Sequence, residues 1–123
     1  MLNTASFYAP EHWKGRCYRV SRSHPRGQRV QWETLPLVYP PRELLRAYRG
    51  GEVDFDGFSQ GYRMALEESY GRLAQFREWA GGLPSLDDFT LLCFEREGLP
   101  CHRRELARWL LERVPGLSPG ELR

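Results

Sequence analysis

The sequence contains no long hydrophobic run, and its apolar stretches are far shorter than the roughly 20 residues that a membrane-spanning helix needs. The first six residues carry neither the basic segment nor the apolar segment of a secretory signal. Cysteine occurs only three times, an odd number without the spacing of a disulfide framework. We therefore expect a cytoplasmic protein with reduced thiols and no membrane partner.

Several amino acids are almost missing. There is no isoleucine, Asn3 is the only asparagine, and Lys14 is the only lysine among the 18 Lys and Arg residues. A strong preference for arginine indicates a GC-rich genome. The shortage of thermolabile amides is typical of thermophilic proteins, so the composition resembles that of a thermophile.

Common catalytic signatures are also missing. The chain has no Walker loop, no dinucleotide-binding glycine fingerprint and no nucleophile-elbow motif, so no cofactor is identified. Cys17, Cys93, Cys101, His24 and His102 are chemically suited to bind zinc, but no Cys-x2-Cys pair is present. Because adjacent residues on a helix point in different directions, Cys101 and His102 are not expected to share a metal, and we predict no metal site.

The chain has the length and composition of one globular domain, predicted over residues 1–123. Its small net charge of +2 hides an asymmetry. Residues 1–49 carry nine basic and three acidic side chains, whereas residues 50–100 carry four and ten. The first third is therefore the candidate surface for an anionic partner.

Strand-like and helix-like patterns alternate along the chain, which predicts an α/β fold: a small, largely parallel sheet flanked by helices. Gly61 and Gly71 interrupt the longest helical pattern, and each is expected to mark a close approach to a neighbouring element. The tail after residue 114 has no clear pattern and is expected to be loose. The predicted strands are 4–8, 16–21 and 89–94, and the predicted helices are 42–49, 56–79 and 100–114.

One segment concentrates reactive groups. The apolar strand 89–94 has Cys93 near its end, and Glu95 follows it directly. A short loop then leads to Cys101, His102 and Arg103 at the start of a helix. Open α/β sheets bind their ligands at the carboxyl ends of strands, and a helix N-terminus lowers the pKa of a nearby thiol. Cys101, His102 and Glu95 are therefore candidate catalytic residues, and Arg103 and Cys93 are candidate ligand contacts. The competing interpretation makes both cysteines core residues.

A second cluster of polar side chains follows the strand 16–21. Arg22, His24, Arg26 and Arg29 lie in a loop, and guanidinium groups bind phosphates and carboxylates with two parallel hydrogen bonds. We predict a pocket for a small anion of phosphate or nucleotide type, held by Arg103, Arg22 and Arg26. Two alternatives stay open: a nucleic-acid or protein-binding surface on the basic, aromatic first third, and a thiol-dependent redox protein. The oligomeric state is not predicted.

The same residues carry a family resemblance. The sequence Leu-Leu-Cys-Phe-Glu at 91–95, followed by Cys-His-Arg at 101–103, resembles the signature of the domain-of-unknown-function 488 family. The segment Arg22 to Gly27 is similar to the family's second motif, although Ser21 stands where members commonly have Asp. The family's strand after the last helix has no counterpart in the pattern of the tail. The resemblance implies that both motifs form one pocket, but it supplies no substrate.

Overall fold

The computed structural model describes residues 1–96 and 98–123. A single five-stranded sheet is at its centre, with the strand order β3-β2-β4-β1-β5, and every neighbouring pair is parallel. The strands are β1 (Leu2–Ser6), β2 (Arg16–Arg19), β3 (Glu33–Thr34), β4 (Phe89–Cys93) and β5 (Pro119–Leu122). The α/β fold with a parallel sheet is therefore confirmed.

The neighbouring strands β1 and β4 are covered on both faces, as is usual in a parallel sheet. All five residues of β1 and all five of β4 are buried, and the strands pair in register from Leu2 beside Phe89 to Ser6 beside Cys93. Strands covered on both faces read as continuous apolar runs, as Phe-Thr-Leu-Leu-Cys does. This register places the ends of β1 and β4 at the same edge of the sheet.

Four helices cover the sheet: α1 (Arg42–Arg49), α2 (Phe55–Arg72), α3 (Ala74–Gly82) and α4 (His102–Arg113). The predicted helix over 56–79 is two helices, because Leu73 adopts an extended conformation between α2 and α3. The guanidinium of Arg77 donates to the carbonyls of Tyr70 and Gly71, which α2 leaves unpaired at its end. This side-chain cap stabilises the break between the two helices.

The two helical glycines behave differently. A Cβ on Gly61 would lie 2.9 Å from Cδ1 of Leu44, so this glycine marks the close approach of α1 to α2. A Cβ on Gly71 would meet nothing within 4 Å. The expected close approach is confirmed for Gly61 and wrong for Gly71.

The tail is not loose. Residues Pro119–Leu122 form β5 alongside β1, and the Asn3 side chain accepts a hydrogen bond of 2.9 Å from the backbone of Glu121. Proline and glycine are poor strand formers, which is why the sequence pattern conceals this strand. The first strand begins two residues earlier than predicted, and the two-residue β3 has no counterpart among the predicted strands.

The larger core cluster lies between the sheet and the helices, and a second, smaller cluster contains Ala5, Phe7, Trp32 and Leu92. The largest fully buried side chains include Trp109, Tyr62, Phe76 and Phe58. Within residues 1–96 and 98–123, no helix is both long and apolar enough to cross a membrane.

Candidate functional site

The reactive residues predicted from the sequence meet at the carboxyl end of β4. Cys93 is the last residue of β4, Cys101 immediately precedes α4, and His102 is its first residue. All three side chains are buried. The loop between the strand and the helix brings Glu95 back over them, and we call Cys93, Glu95, Cys101 and His102 the thiol cluster.

One carboxylate oxygen holds both thiols. Oε2 of Glu95 accepts a hydrogen bond from Sγ of Cys101 at 3.0 Å and another from Sγ of Cys93 at 3.2 Å. No ion pair joins Glu95 to a cation in the described part of the chain. This partly buried carboxylate is therefore stabilised by thiols rather than by an arginine.

The His102 ring is fixed from two sides. Its Nε2 donates to the carbonyl of Val20 at 2.8 Å, just beyond the end of β2, because a carbonyl can only accept. Its edge packs against Tyr62, with ring centroids 5.5 Å apart. The sulfur of Cys93 lies 3.7 Å from Nδ1 and 3.9 Å from Nε2 of this ring.

The expectation that Cys101 and His102 diverge is wrong. The sulfurs of Cys93 and Cys101 and a ring nitrogen of His102 all lie within 4.8 Å of one another. Cys101 is still extended (φ −151°, ψ 141°) when His102 begins the helix, so the rule for adjacent helical residues does not apply to this pair.

The surroundings shift the pKa values of the two thiols in opposite directions. Burial opposes ionisation of Cys101, but hydrogen bonds from Cys93 and His102, with the charges of His102 and Arg103, hold its pKa well below the usual range. The hydrogen bond to Cys101, together with burial, raises the pKa of Cys93 well above it. Burial also raises the pKa of Glu95. Cys101 is therefore the thiol favoured to ionise, in which case Glu95, whose pKa the charge of Cys101 also raises, holds the proton between them; Cys93 is the thiol favoured to keep its proton.

The pKa of His102 is raised even though its ring is buried. Burial alone would lower its pKa, but the hydrogen bond and the charge of Cys101 raise it above the ordinary value. A thiolate at Cys101 and a protonated imidazole at His102 therefore stabilise each other.

Arg103 is predicted from the sequence to contact an anion, but its guanidinium donates to backbone carbonyls. Its side chain is fully buried, Nε donates to the carbonyl of Arg123 at 2.7 Å, and an Nη donates to the carbonyl of Glu95 at the same distance. The second Nη is buried without a hydrogen-bond partner among the described residues. Arg103 thus ties the loop after β4 and the end of β5 to α4, and we treat it as a positioning residue.

A small cavity of about 100 Å³ opens beside the thiol cluster. Cys93, Glu95 and His102 line it, whereas Cys101 does not. Cys93 therefore borders a pocket, although only 2% of its surface is exposed. Arg22 and Arg49 line the same cavity on its far side.

A wider groove of about 410 Å³ adjoins the cavity, and we call it the arginine groove. Arg22 and Arg49 line both spaces, and Arg42 and Arg46 extend the groove outward. The three arginines of α1 are exposed and form no ion pair within residues 1–96 and 98–123. They were not among the predicted site residues, although their spacing of four and three residues, visible in the sequence, puts them on one helix face.

The remaining predicted residues divide between the groove and the surface. Arg22 lines the groove while its Nε donates to the carbonyl of Pro40 at 2.7 Å. Arg26 and His24 are exposed in the loop that follows. Cys17 is half-buried on β2 and does not belong to the thiol cluster.

Comparison with known proteins gives one family. Neither the curated proteins nor the solved structures include a significant match to this chain. The model of the DUF488-N3a family, described as the active DUF488-N3 subclade, matches residues 3–114. That span includes β1 to β4, the four helices, the thiol cluster and the arginine groove. The chain therefore belongs to the DUF488-N3a family.

Proposed function

We propose that this protein is an enzyme that binds a small phosphate-bearing or nucleotide-type anion in the arginine groove and transforms it at the thiol cluster. The proposal rests on one observation: Arg22 and Arg49 line both the groove and the adjoining cavity. Cys93, Glu95 and His102 border that same cavity. An anion bound by these arginines lies next to the reactive groups.

Charge supports the choice of an anion. Arg42, Arg46 and Arg49 present guanidinium groups on one face of α1, and the described part of the chain supplies no acidic partner to neutralise them. Guanidinium groups bind phosphates bidentately and keep their charge at every physiological pH. The groove volume of about 410 Å³ falls within the range of small-molecule sites.

The thiol cluster supplies groups for proton transfer and bond formation. Glu95 is the proposed base, because its carboxylate borders the cavity and has no cationic partner among the described residues. Cys101 and His102 lie behind it, and Cys93 contacts the cavity. Arg103 holds the backbone of Glu95 in place.

The alternative of a nucleic-acid surface has less support. Tyr18 is 6% exposed and Trp32 is 8% exposed, so these aromatic rings of the first third are unable to stack on bases. Trp13 packs against Trp32 with ring centroids 6.0 Å apart. The aromatic side chains that suggested this alternative belong to the core.

A thermal-shift titration tests the proposal. Wild type, Arg49→Ala and Arg72→Ala are titrated with inorganic phosphate, nucleoside monophosphates and sugar phosphates in the presence of a metal chelator. Arg72 is an exposed helical arginine outside the groove, so its removal is a matched control for the loss of one charge. A ligand at 100 times its Kd stabilises the folded state by about 2.7 kcal/mol, which raises Tm by several degrees.

We expect at least one of these anions to stabilise wild type and Arg72→Ala equally. Arg49→Ala should need about tenfold more ligand, since one charge-assisted contact is lost. If none of these anions stabilises wild type, or if Arg49→Ala and Arg72→Ala respond alike, the proposal is wrong.

A further inference from the structure

Three donor atoms, from Cys93, Cys101 and His102, lie within 4.8 Å of one another, and Oε2 of Glu95 lies within 3.2 Å of both sulfurs. The cluster contains two sulfurs, one imidazole nitrogen and one carboxylate oxygen, which are the donor types that bind zinc in proteins. We propose that Cys93, Cys101, His102 and Glu95 form a site for a zinc-type divalent cation. This inference deepens the function proposed above and rests on it for the role of the metal, although metal binding itself is measurable without any anion.

The spacing of the donors supports tetrahedral coordination. Two ligands of a tetrahedral zinc, at about 2.3 Å for sulfur and about 2.0–2.1 Å for nitrogen or oxygen, are about 3.5–3.8 Å apart. Sγ of Cys93 lies 3.7 Å from Nδ1 of His102. The carboxylate oxygen lies 3.2 Å from one sulfur and 3.0 Å from the other, so these contacts need to open by only about 0.5 Å to admit the ion.

The surroundings of His102 match those of a metal ligand. Metal-binding histidines usually donate their second ring nitrogen to a carbonyl or carboxylate, which fixes the ring and leaves the first nitrogen for the metal. Nε2 of His102 donates to the carbonyl of Val20 at 2.8 Å, and Nδ1, left free of that bond, lies 3.7 Å from Sγ of Cys93. Tyr62 and Phe58 pack against the same ring and hold its plane.

The charge of the cluster gives a second reason to expect a cation there. Two buried thiols and a carboxylate converge, yet no ion pair joins Glu95 to a cation in the described residues. The partly buried Glu95 carboxylate therefore carries a desolvation cost that hydrogen bonds from two thiols offset only in part. A divalent cation would offset two of the three negative charges of the carboxylate and two thiolates, and its binding would release to solvent the protons that the sulfurs and Nδ1 of His102 hold.

The position of the site suggests what the metal does. Glu95 and Cys93 border the cavity beside the arginine groove, so exchange of Glu95 for a ligand from the cavity side would open one coordination position toward the bound anion. A zinc with three protein ligands and one exchangeable position polarises a phosphoryl or carbonyl oxygen. The thiols would then be ligands, and Glu95 would be the residue that moves.

Cobalt substitution tests the metal site directly. Protein prepared with a reductant and stripped with a chelator is titrated with Co²⁺ and then with Zn²⁺, without any anionic ligand. We compare wild type with Cys101→Ser and with Cys17→Ser, the matched control outside the cluster. We expect wild type and Cys17→Ser to bind one ion, with a thiolate-to-cobalt charge-transfer band and the visible bands of tetrahedral cobalt. Cys101→Ser should lose at least about tenfold in affinity and about half of the charge-transfer intensity.

A second measurement avoids the risk that a variant fails to fold. In wild type, Zn²⁺ should slow alkylation of Cys93 and Cys101 by at least about tenfold and leave the rate at Cys17 unchanged. Absence of the cobalt bands in wild type, or equal protection of all three cysteines, would overturn the metal site. If cobalt fails to bind while an anion still binds through Arg49 in chelator, the proposed function stands and the metal site is wrong; cobalt binding without anion binding supports the metal site alone.

Discussion

Replacing Arg103 by methionine should destabilise the protein by about 3 kcal/mol. The change removes two charge-assisted hydrogen bonds of 2.7 Å, to the carbonyls of Glu95 and Arg123, and each such bond contributes about 1.5–3 kcal/mol. Methionine fills most of the volume, and the release of a fully buried charge offsets part of the loss. The net value is therefore nearer the lower end of the sum.

Urea denaturation at neutral pH measures the effect. With a slope of about 1.5 kcal/mol per molar urea, a loss of about 3 kcal/mol lowers the midpoint by about 2 M. Arg108→Met is the control, because Arg108 lies on the same helix but is exposed and, among the described residues, pairs with Glu105 alone, across one turn; it should change stability by less than about 0.5 kcal/mol. If Arg103→Met and Arg108→Met are equally stable, Arg103 does not tie α4 to the strand ends as we describe.

Local geometry gives three further predictions. Gly71→Ala should stabilise the protein by up to about 1 kcal/mol in the same assay, because an added methyl meets nothing and α2 gains helix propensity; a loss of stability would contradict this. Gly15→Ala should destabilise it by more than about 2 kcal/mol, since Gly15 has φ +65° and its Cβ would lie 1.9 Å from the carbonyl oxygen of Asp88; near-wild-type stability would be inconsistent with this turn. Burial raises the pKa of Cys17 above that of an ordinary thiol, so its alkylation rate, followed by peptide mass spectrometry, should still be rising at about pH 9; a plateau below about pH 8 would exclude that shift.

The sequence was sufficient for the parts of the fold that rest on local pattern. The buried run 89–94, the short helix 42–49 and the helix after Cys101 all appear within two residues of their predicted bounds. The thiol cluster was also predictable, because a strand end and a helix start separated by a short loop must lie close together. Hydrophobic periodicity and chain connectivity carry this information directly.

Features that depend on tertiary contact were not predictable. The strand β5 contains Pro119 and Gly120 and forms because β1 offers it an open edge. The break at Leu73 depends on Arg77 reaching back to cap α2. Burial of Arg103 depends on carbonyls that come from two distant segments, so a guanidinium that the sequence assigns to an anion instead binds backbone.

Our central claim is that the arginine groove and the thiol cluster form one site. Ligand protection tests it most directly: wild type is alkylated in chelator, with and without a saturating concentration of inorganic phosphate or nucleoside monophosphate, and each cysteine is followed by peptide mass spectrometry. Because Arg49 and Cys93 border the same cavity, an anion that raises Tm should slow alkylation of Cys93 and leave Cys17 unchanged. An anion that raises Tm through Arg49 but leaves the rate at Cys93 unaltered would show that the groove and the thiol cluster are separate.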